Sequence, residues 1–206
     1  MTKKLDSTAR LEAFSDGVMA VIITIMVLEL KVPHEDGIAS LYAVMPTLLV
    51  YLLSFTFVGI YWVNHDHLLK RIEGADKVTL YANLFFLFCL SLLPFFTSYV
   101  LEKSRDGLSV AIYALSMVLT GFSFYLLRMA IIRNLKYFGA LKPEDTQAQR
   151  KHLMSLALYV VAAALAKWHP EIALGVVAIV TVIWIVPNLT APVCDHAGGQ
   201  VGSSPE

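Results

Sequence analysis

RLEAFSDGVMAVIITIMVLEL, residues 10–30, is the stretch from which the rest of the chain can be read. It opens on four polar or charged groups, Arg10, Glu12, Ser15 and Asp16. From Gly17 to Leu28 it is apolar, interrupted only by Thr24, and it closes on Glu29 and Lys31. About 20 residues rising about 1.5 Å each match about 30 Å of hydrocarbon, so the tract is long enough to cross a bilayer. Lys3 and Lys4 precede it, as basic residues precede a signal peptide. The apolar run is long for that role, carries Glu12 and Asp16 at its start, and has no small-x-small cleavage pattern after it. It reads as a mature helix.

Working outward, 57% of the 206 residues are hydrophobic and 16% charged, with a mean hydropathy of +0.66. A soluble domain is nearer about 45–50% apolar and about 25% charged. Here the excess lies in separate blocks long enough to span a membrane. Six spans are expected, at 10–31, 40–67, 78–100, 108–132, 152–167 and 171–187. The chain is therefore read as an all-α integral membrane protein, with one six-helix domain over 1–190 and a disordered tail over 191–206. The links KVPHEDG, LKRIEGADK, EKSRDG and KWHPE are short, and the longest is RNLKYFGALKPEDTQAQRK between the fourth and fifth spans. They leave no room for a soluble catalytic domain. Zero net charge gives no sign of a nucleic-acid partner. Cys89 and Cys194 suggest neither a disulfide framework nor a thiolate metal site.

Topology follows from the basic residues. With the N-terminus in the cytoplasm, Lys3, Lys4, Arg10, Lys70, Arg71, Lys77, Arg128, Arg133, Lys136, Lys142, Arg150 and Lys151 share that side. Only Lys31, Lys103, Arg105 and Lys167 lie opposite, a split of twelve to four that places both termini inside. Within the spans, Pro46 reads as a breaker at the start of the second, and Pro94 as a kink or helix end in the third. Gly121 and Ser123 permit close helix approach in the fourth. The fifth and sixth form a hairpin over Trp168 to Glu171.

His65, Asp66 and His67 are the one cluster of metal-capable residues. His65 and His67 are two apart and point to different helix faces, unlike the i, i+4 pair of a helical zinc site, so no metal is expected. VGIY at Val58 to Tyr61 is superficially similar to the TVGYG filter of potassium channels, but it sits inside a continuous apolar span with no pore-helix hairpin around it. No serine–base pair, P-loop or dinucleotide glycine pattern occurs, so no enzyme and no cofactor are expected. Asp16, His65, Asn83 and Arg128 fall near the cytoplasmic edge, where polar groups are usually paired. One hydrogen-bonded cluster of the four is expected, either as glue between helices or as a proton relay. A relay would need polar groups through the midplane, and the middles of these spans contain almost none.

At about 100° per residue, Val21, Ile25 and Leu28 fall within about 60° of one another, flanked by Thr24, and Asp16 lies about 140° from Val21. If that stripe faces a symmetry axis, Asp16 turns back into the protomer. Nearly every residue from Val18 to Leu28 is apolar, so periodicity does not choose between a pore face, a packing face and a lipid face.

RLEAFSD followed by GVMAVIITIMVLEL resembles the first helix of the transmembrane protein 175 family, endosomal and lysosomal potassium channels with single-repeat prokaryotic homologues. The similarity extends to YWVNHDHLL after the second span and NLFFLFCLSLLPF in the third, and six spans fit one repeat. The resemblance implies a homotetrameric cation channel of the cell membrane, with potassium as permeant ion and the first helix of each subunit lining the pore. It implies an apolar constriction at Val21, Ile25 and Leu28 and a polar layer at Thr24, with valine where isoleucine is familiar at the first ring. Arg10, Phe14, Ser15 and Asp16 would be packing glue, bonded to His65 and Asn83 and supported by Trp62. The rival readings are a secondary or proton-coupled transporter, which would show broken helices and midplane polar groups, and a non-conducting membrane scaffold.

Overall fold

The computed structural model describes residues 6–28, 30, 37–137, 139–140 and 143–190. The tail over 191–206, with Cys194, and most of the first link lie outside the described residues. In chain order the elements are β1 (Asp6–Ser7), α1 (Thr8–Leu28), α2 (Ile38–Leu69), β2 (Gly74–Ala75), α3 (Lys77–Ser91), α4 (Leu93–Glu102), α5 (Gly107–Tyr137), α6 (Pro143–Leu165) and α7 (Pro170–Thr190). Helices α3 and α4 are the two halves of one span, Lys77–Glu102, so the chain is an all-α bundle of six rods. Four of them, α1, α2, α3–α4 and α5, are long and apolar enough to cross a membrane, and α7 is a shorter apolar helix over its described side chains.

Two prolines behave differently. Pro94 sits at the start of α4, and α3 breaks from α4 at Leu92. A proline there has no N–H for the carbonyl one turn back, so the span restarts around it. Pro46 does not open the second span: α2 begins at Ile38 and runs through it. The actual start is Gly37, whose φ of +98° is one a side chain resists. The fifth span also differs from expectation. The long link predicted over 133–151 is mostly helix, because α5 continues to Tyr137 and α6 begins at Pro143. A polar first half is invisible to hydropathy, yet proline followed by acidic residues is a normal helix start.

Helix α5 is the centre of the bundle. Of its most apolar window 56% is buried, against 28% for α1. Around it Tyr61 meets Phe57, Phe124 and Phe86, with ring centroids 4.8, 5.1 and 5.7 Å away. Gly121 lets α6 close on α5. A side chain there would meet Leu156 Cδ1 at 3.0 Å and the Tyr61 hydroxyl at 3.1 Å. In that space His152 Nε2 lies 2.9 Å from the Gly121 carbonyl, so this nitrogen carries the proton. A second polar knot joins three helices: the Ser54 hydroxyl lies 2.9 Å from Thr97 Oγ1 and 2.8 Å from the Tyr113 hydroxyl, all buried.

The charged end is tied by ion pairs. Arg71, just after α2, grips Asp145 of α6 with two nitrogens at 2.6 and 3.2 Å. Arg133 of α5 reaches Asp76 at 3.0 Å, and Asp76 Oδ1 accepts from Thr79 N at 2.9 Å and so caps α3. There too β1 pairs antiparallel with β2, Asp6 opposite Ala75 and Ser7 opposite Gly74. At the other end Asp106 accepts from Ser109 N at 3.1 Å, and hydrogen bonds from Ser109 hold the carboxyl below its ordinary range.

Candidate functional site

Helix α1 has one face turned inward. Leu11, Ser15, Met19, Ile22 and Met26 are buried, spaced three or four apart as one helical stripe requires. Val21, Ile25 and Leu28 stay 55%, 44% and 77% exposed on the single chain. Thr24 is exposed beside them, and its hydroxyl donates to the Val21 carbonyl at 2.9 Å. The proton is thus spent within the helix, which leaves the oxygen lone pairs outward as acceptors. Val21 and Ile25 border a groove of about 910 Å³ whose far wall is the α3–α4 break, with Ser91, Pro94, Phe95 and Ser98. Phe14, 53% exposed, lies in the same groove.

Behind α1 runs a directed chain of hydrogen bonds. His65 Nε2 lies 2.7 Å from Asn83 Oδ1, and this oxygen only accepts, so the imidazole donates. Asn83 Nδ2 donates to Ser15 Oγ at 2.9 Å, and Ser15 donates to the Leu11 carbonyl at 2.8 Å. All three side chains are buried, and the His65 ring stacks on Phe86 with centroids 5.8 Å apart. The chain joins α2, α3 and α1. Its middle member is an amide, which cannot pass a proton on without tautomerising, so the arrangement fastens helices rather than relaying protons. Alongside it, Trp62 Nε1 donates to Asp16 Oδ1 at 2.9 Å, closer to the surface. Asp16 is turned toward α2, off the Val21 stripe.

The expected cluster of four is therefore smaller. His65 and Asn83 are bonded to each other, Asp16 is held by Trp62, and Arg128 stands apart. The Arg128 side chain packs over the Phe124 ring at 5.8 Å, and its Nε is the one buried side-chain nitrogen or oxygen without a hydrogen bond among the described residues. Arg10 is exposed at the start of α1 and outside this chain of bonds. His65, Asp66 and His67 point three ways: to Asn83, to Lys70 at 2.7 Å, and to the Val63 carbonyl at 2.8 Å. Val58 to Tyr61 are interior residues of α2.

Residues that the sequence reading passes over are Ser54, Thr97 and Tyr113, which form a knot, and His152, which meets the Gly121 carbonyl. Hydroxyls in apolar spans are a signal that a partner exists, without saying which.

Comparison with known proteins points to one family of ion channels. The family profile described as endosomal/lysosomal potassium channel TMEM175 matches residues 10–94. A protein of Chryseobacterium sp. (strain P1-3) named a potassium channel is 41% identical over 179 residues, covering 87% of this chain and 93% of that one. The human endosomal/lysosomal proton channel TMEM175 is 29% identical over 178 residues, covering 78% of this chain and 35% of that protein. The crystal structure of a lysosomal potassium-selective channel TMEM175 homolog from Chamaesiphon minutus superposes with a TM-score of 0.76 at 27% identity, over 89% of this chain and 98% of that one. These relatives are ion channels and not enzymes. With the profile falling on the first three spans and a relative matched along nearly its whole length, this membrane protein belongs to the TMEM175 family.

Proposed function

We propose that this chain forms a homotetrameric potassium-permeable channel of the cell membrane, with both termini cytoplasmic and with α1 of each subunit around the axis. The carrying observation is the division of α1. One apolar stripe packs inside the chain, and a second, Val21, Ile25 and Leu28, is left largely exposed beside Thr24. The names of the bacterial relatives supply the ion. The concentration of basic residues at the Arg71 and Arg133 end supports the orientation.

Four copies of the exposed stripe form apolar rings. A narrow apolar ring loses its water and closes, and widening it readmits water and ions, so Val21, Ile25 and Leu28 act as a hydrophobic gate. No TVGYG loop is needed for this. Thr24, presenting oxygen lone pairs, adds one layer of polar contact for a cation. Such a pore selects among cations modestly, because one hydroxyl layer does not replace a hydration shell as a carbonyl cage does. Ser15, Asp16, Trp62, His65 and Asn83 hold α1 in place.

The test is ion flux into liposomes containing the purified protein, with potassium, sodium and N-methylglucamine compared. Potassium flux down its own gradient, without a coupling ion and with N-methylglucamine excluded, is expected. Ile25→Ala and Leu28→Ala should each raise conductance or open probability. Flux that needs a second ion would make the protein a carrier, and no flux would make it a scaffold. Unchanged currents in both variants would sink the pore-face assignment. The vertebrate relatives' name makes protons a further ion to measure in the same vesicles.

A further inference from the structure

Helices α6 and α7 enclose a groove of about 370 Å³ that the pore does not use. Its floor is apolar, formed by Met154, Leu158, Val180 and Ile183, and its mouth carries Arg150 and Lys151. We propose that this groove seats one anionic phospholipid, with the phosphate at Arg150 and Lys151 and an acyl chain along Met154, Leu158 and Ile183.

Three observations converge. First, the charge at the mouth is not neutralised by a carboxylate among the described residues. Arg71 and Arg133 at the same end of the bundle are ion-paired to Asp145 and Asp76, whereas neither Arg150 nor Lys151 is ion-paired among the described residues. Second, Lys151 is positioned. Its Nζ lies 4.2 Å from the centroid of the Trp184 ring, and Trp184 Nε1 in turn donates to Ser155 Oγ at 2.8 Å. A tryptophan face attracts an ammonium group without neutralising it, so the charge stays open to an anion. Third, the dimensions suit one leaflet. Arg150 to Leu158 is eight residues along α6, about 12 Å, against about 15 Å for half the hydrocarbon core. A groove with cations at one end only matches a molecule with an anion at one end only. A zwitterionic lipid offers the same chain but cancels its phosphate charge within its own headgroup. The larger groove between α2 and α7, about 620 Å³, has a single cation, Arg105, and no such pair.

The test uses the full-length protein, delipidated in detergent. Retention of added phosphatidylglycerol and phosphatidylcholine with identical acyl chains is compared by native mass spectrometry. At about a fivefold gain per basic group, the wild type should retain phosphatidylglycerol about 30-fold more tightly. Arg150→Gln with Lys151→Gln should bring the two lipids level, and Arg105→Gln should leave the preference intact. If the double variant does not fold, Arg150→Gln alone, at an exposed position, decides by an about fivefold loss. Equal retention of both lipids by the wild type would overturn the proposal. So would a preference that survives the double substitution. Displacement of the lipid by glycerol phosphate at equal concentration would overturn it too, by making this a site for free phosphate esters. None of these outcomes depends on ion conduction.

Discussion

Asn83 is the position at which the fastening of α1 can be measured. Replacing it with leucine keeps the branched outline and removes both polar ends. Ser15 then loses a donor but keeps its own bond to the Leu11 carbonyl. His65 Nε2 loses its partner at a side chain that is 1% exposed. One orphaned buried polar group costs about 1–3 kcal/mol. His65→Leu orphans Asn83 Oδ1 instead, for a similar cost, and also gives up the stack on Phe86. The double variant contains neither orphan. The stack is lost equally in both variants that lack His65, so it cancels in the cycle. Two orphan penalties at their lower bound set the coupling at about 2 kcal/mol, and hydrogen bonds between membrane helices measure lower, so the double should be about 1–2 kcal/mol more stable than the sum of the singles. Equilibrium unfolding of the four proteins in mixed micelles by an ionic detergent reads each term. Additivity to within about 0.5 kcal/mol would refute the reasoning, because it would mean that the 2.7 Å contact couples nothing. Ion selectivity of Asn83→Leu should be unchanged, since this residue lies behind α1.

Two further expectations follow from the start of α5. A Cβ at Gly107 would lie 2.8 Å from the Ala166 carbonyl oxygen and 2.9 Å from that of Lys167, both backbone, so Gly107→Ala must push α5 from the α6–α7 turn. A loss of about 1–3 kcal/mol is expected. Gly175→Ala in α7 meets nothing within 4 Å and should instead be stabilising by about 0.5–1 kcal/mol; melting curves of the two variants should move in opposite directions. Asp106 has its acidity raised by Ser109, so its contribution is complete above the ordinary carboxylate value of about 4 and fades as pH falls through its lower folded value. Asp106→Asn keeps the acceptor and removes that titration. Acidification from pH 5 toward 2.5 should lower the melting temperature of the wild type more than that of the variant, and equal slopes would count against the cap.

Much of the architecture was open to reading from hydropathy, because a helix that must cross about 30 Å of hydrocarbon announces its length. Pro94 marked a real break: it sits in the first turn of α4, where its missing N–H has no intrahelical partner to lose. Pro46 misled: a proline nine residues into α2 is spanned by the same helix. The start of α6 escaped because PEDTQAQRK is polar but for Pro143 and Ala148, and hydropathy sees helices only by their greasy part. Two-residue strands such as β1 and β2 leave no periodicity to detect. In the candidate site, polar residues such as Ser15, His65 and Asn83 in apolar helices were legible as groups that must find partners. Which partner each finds depends on how the helices cross, which no local pattern encodes. Arg128 shows the limit, being near the same edge by count yet packed on Phe124.

The attachments of α1 are unevenly distributed along it. The β1–β2 pair, Leu11, the bond of Ser15 to Asn83 and that of Asp16 to Trp62 all fall in or before its first half. Beyond them the inward stripe consists of Met19, Ile22 and Met26, held by apolar contact alone. Within one chain, α1 is therefore a cantilever, clamped at its polar end and sprung at the other. Leu28 stands about 20 Å from Ser15 along the axis and Val21 about 9 Å, so a tilt about the clamp moves Leu28 roughly twice as far as Val21. Any small rotation about the clamped end would therefore have its largest displacement at Leu28.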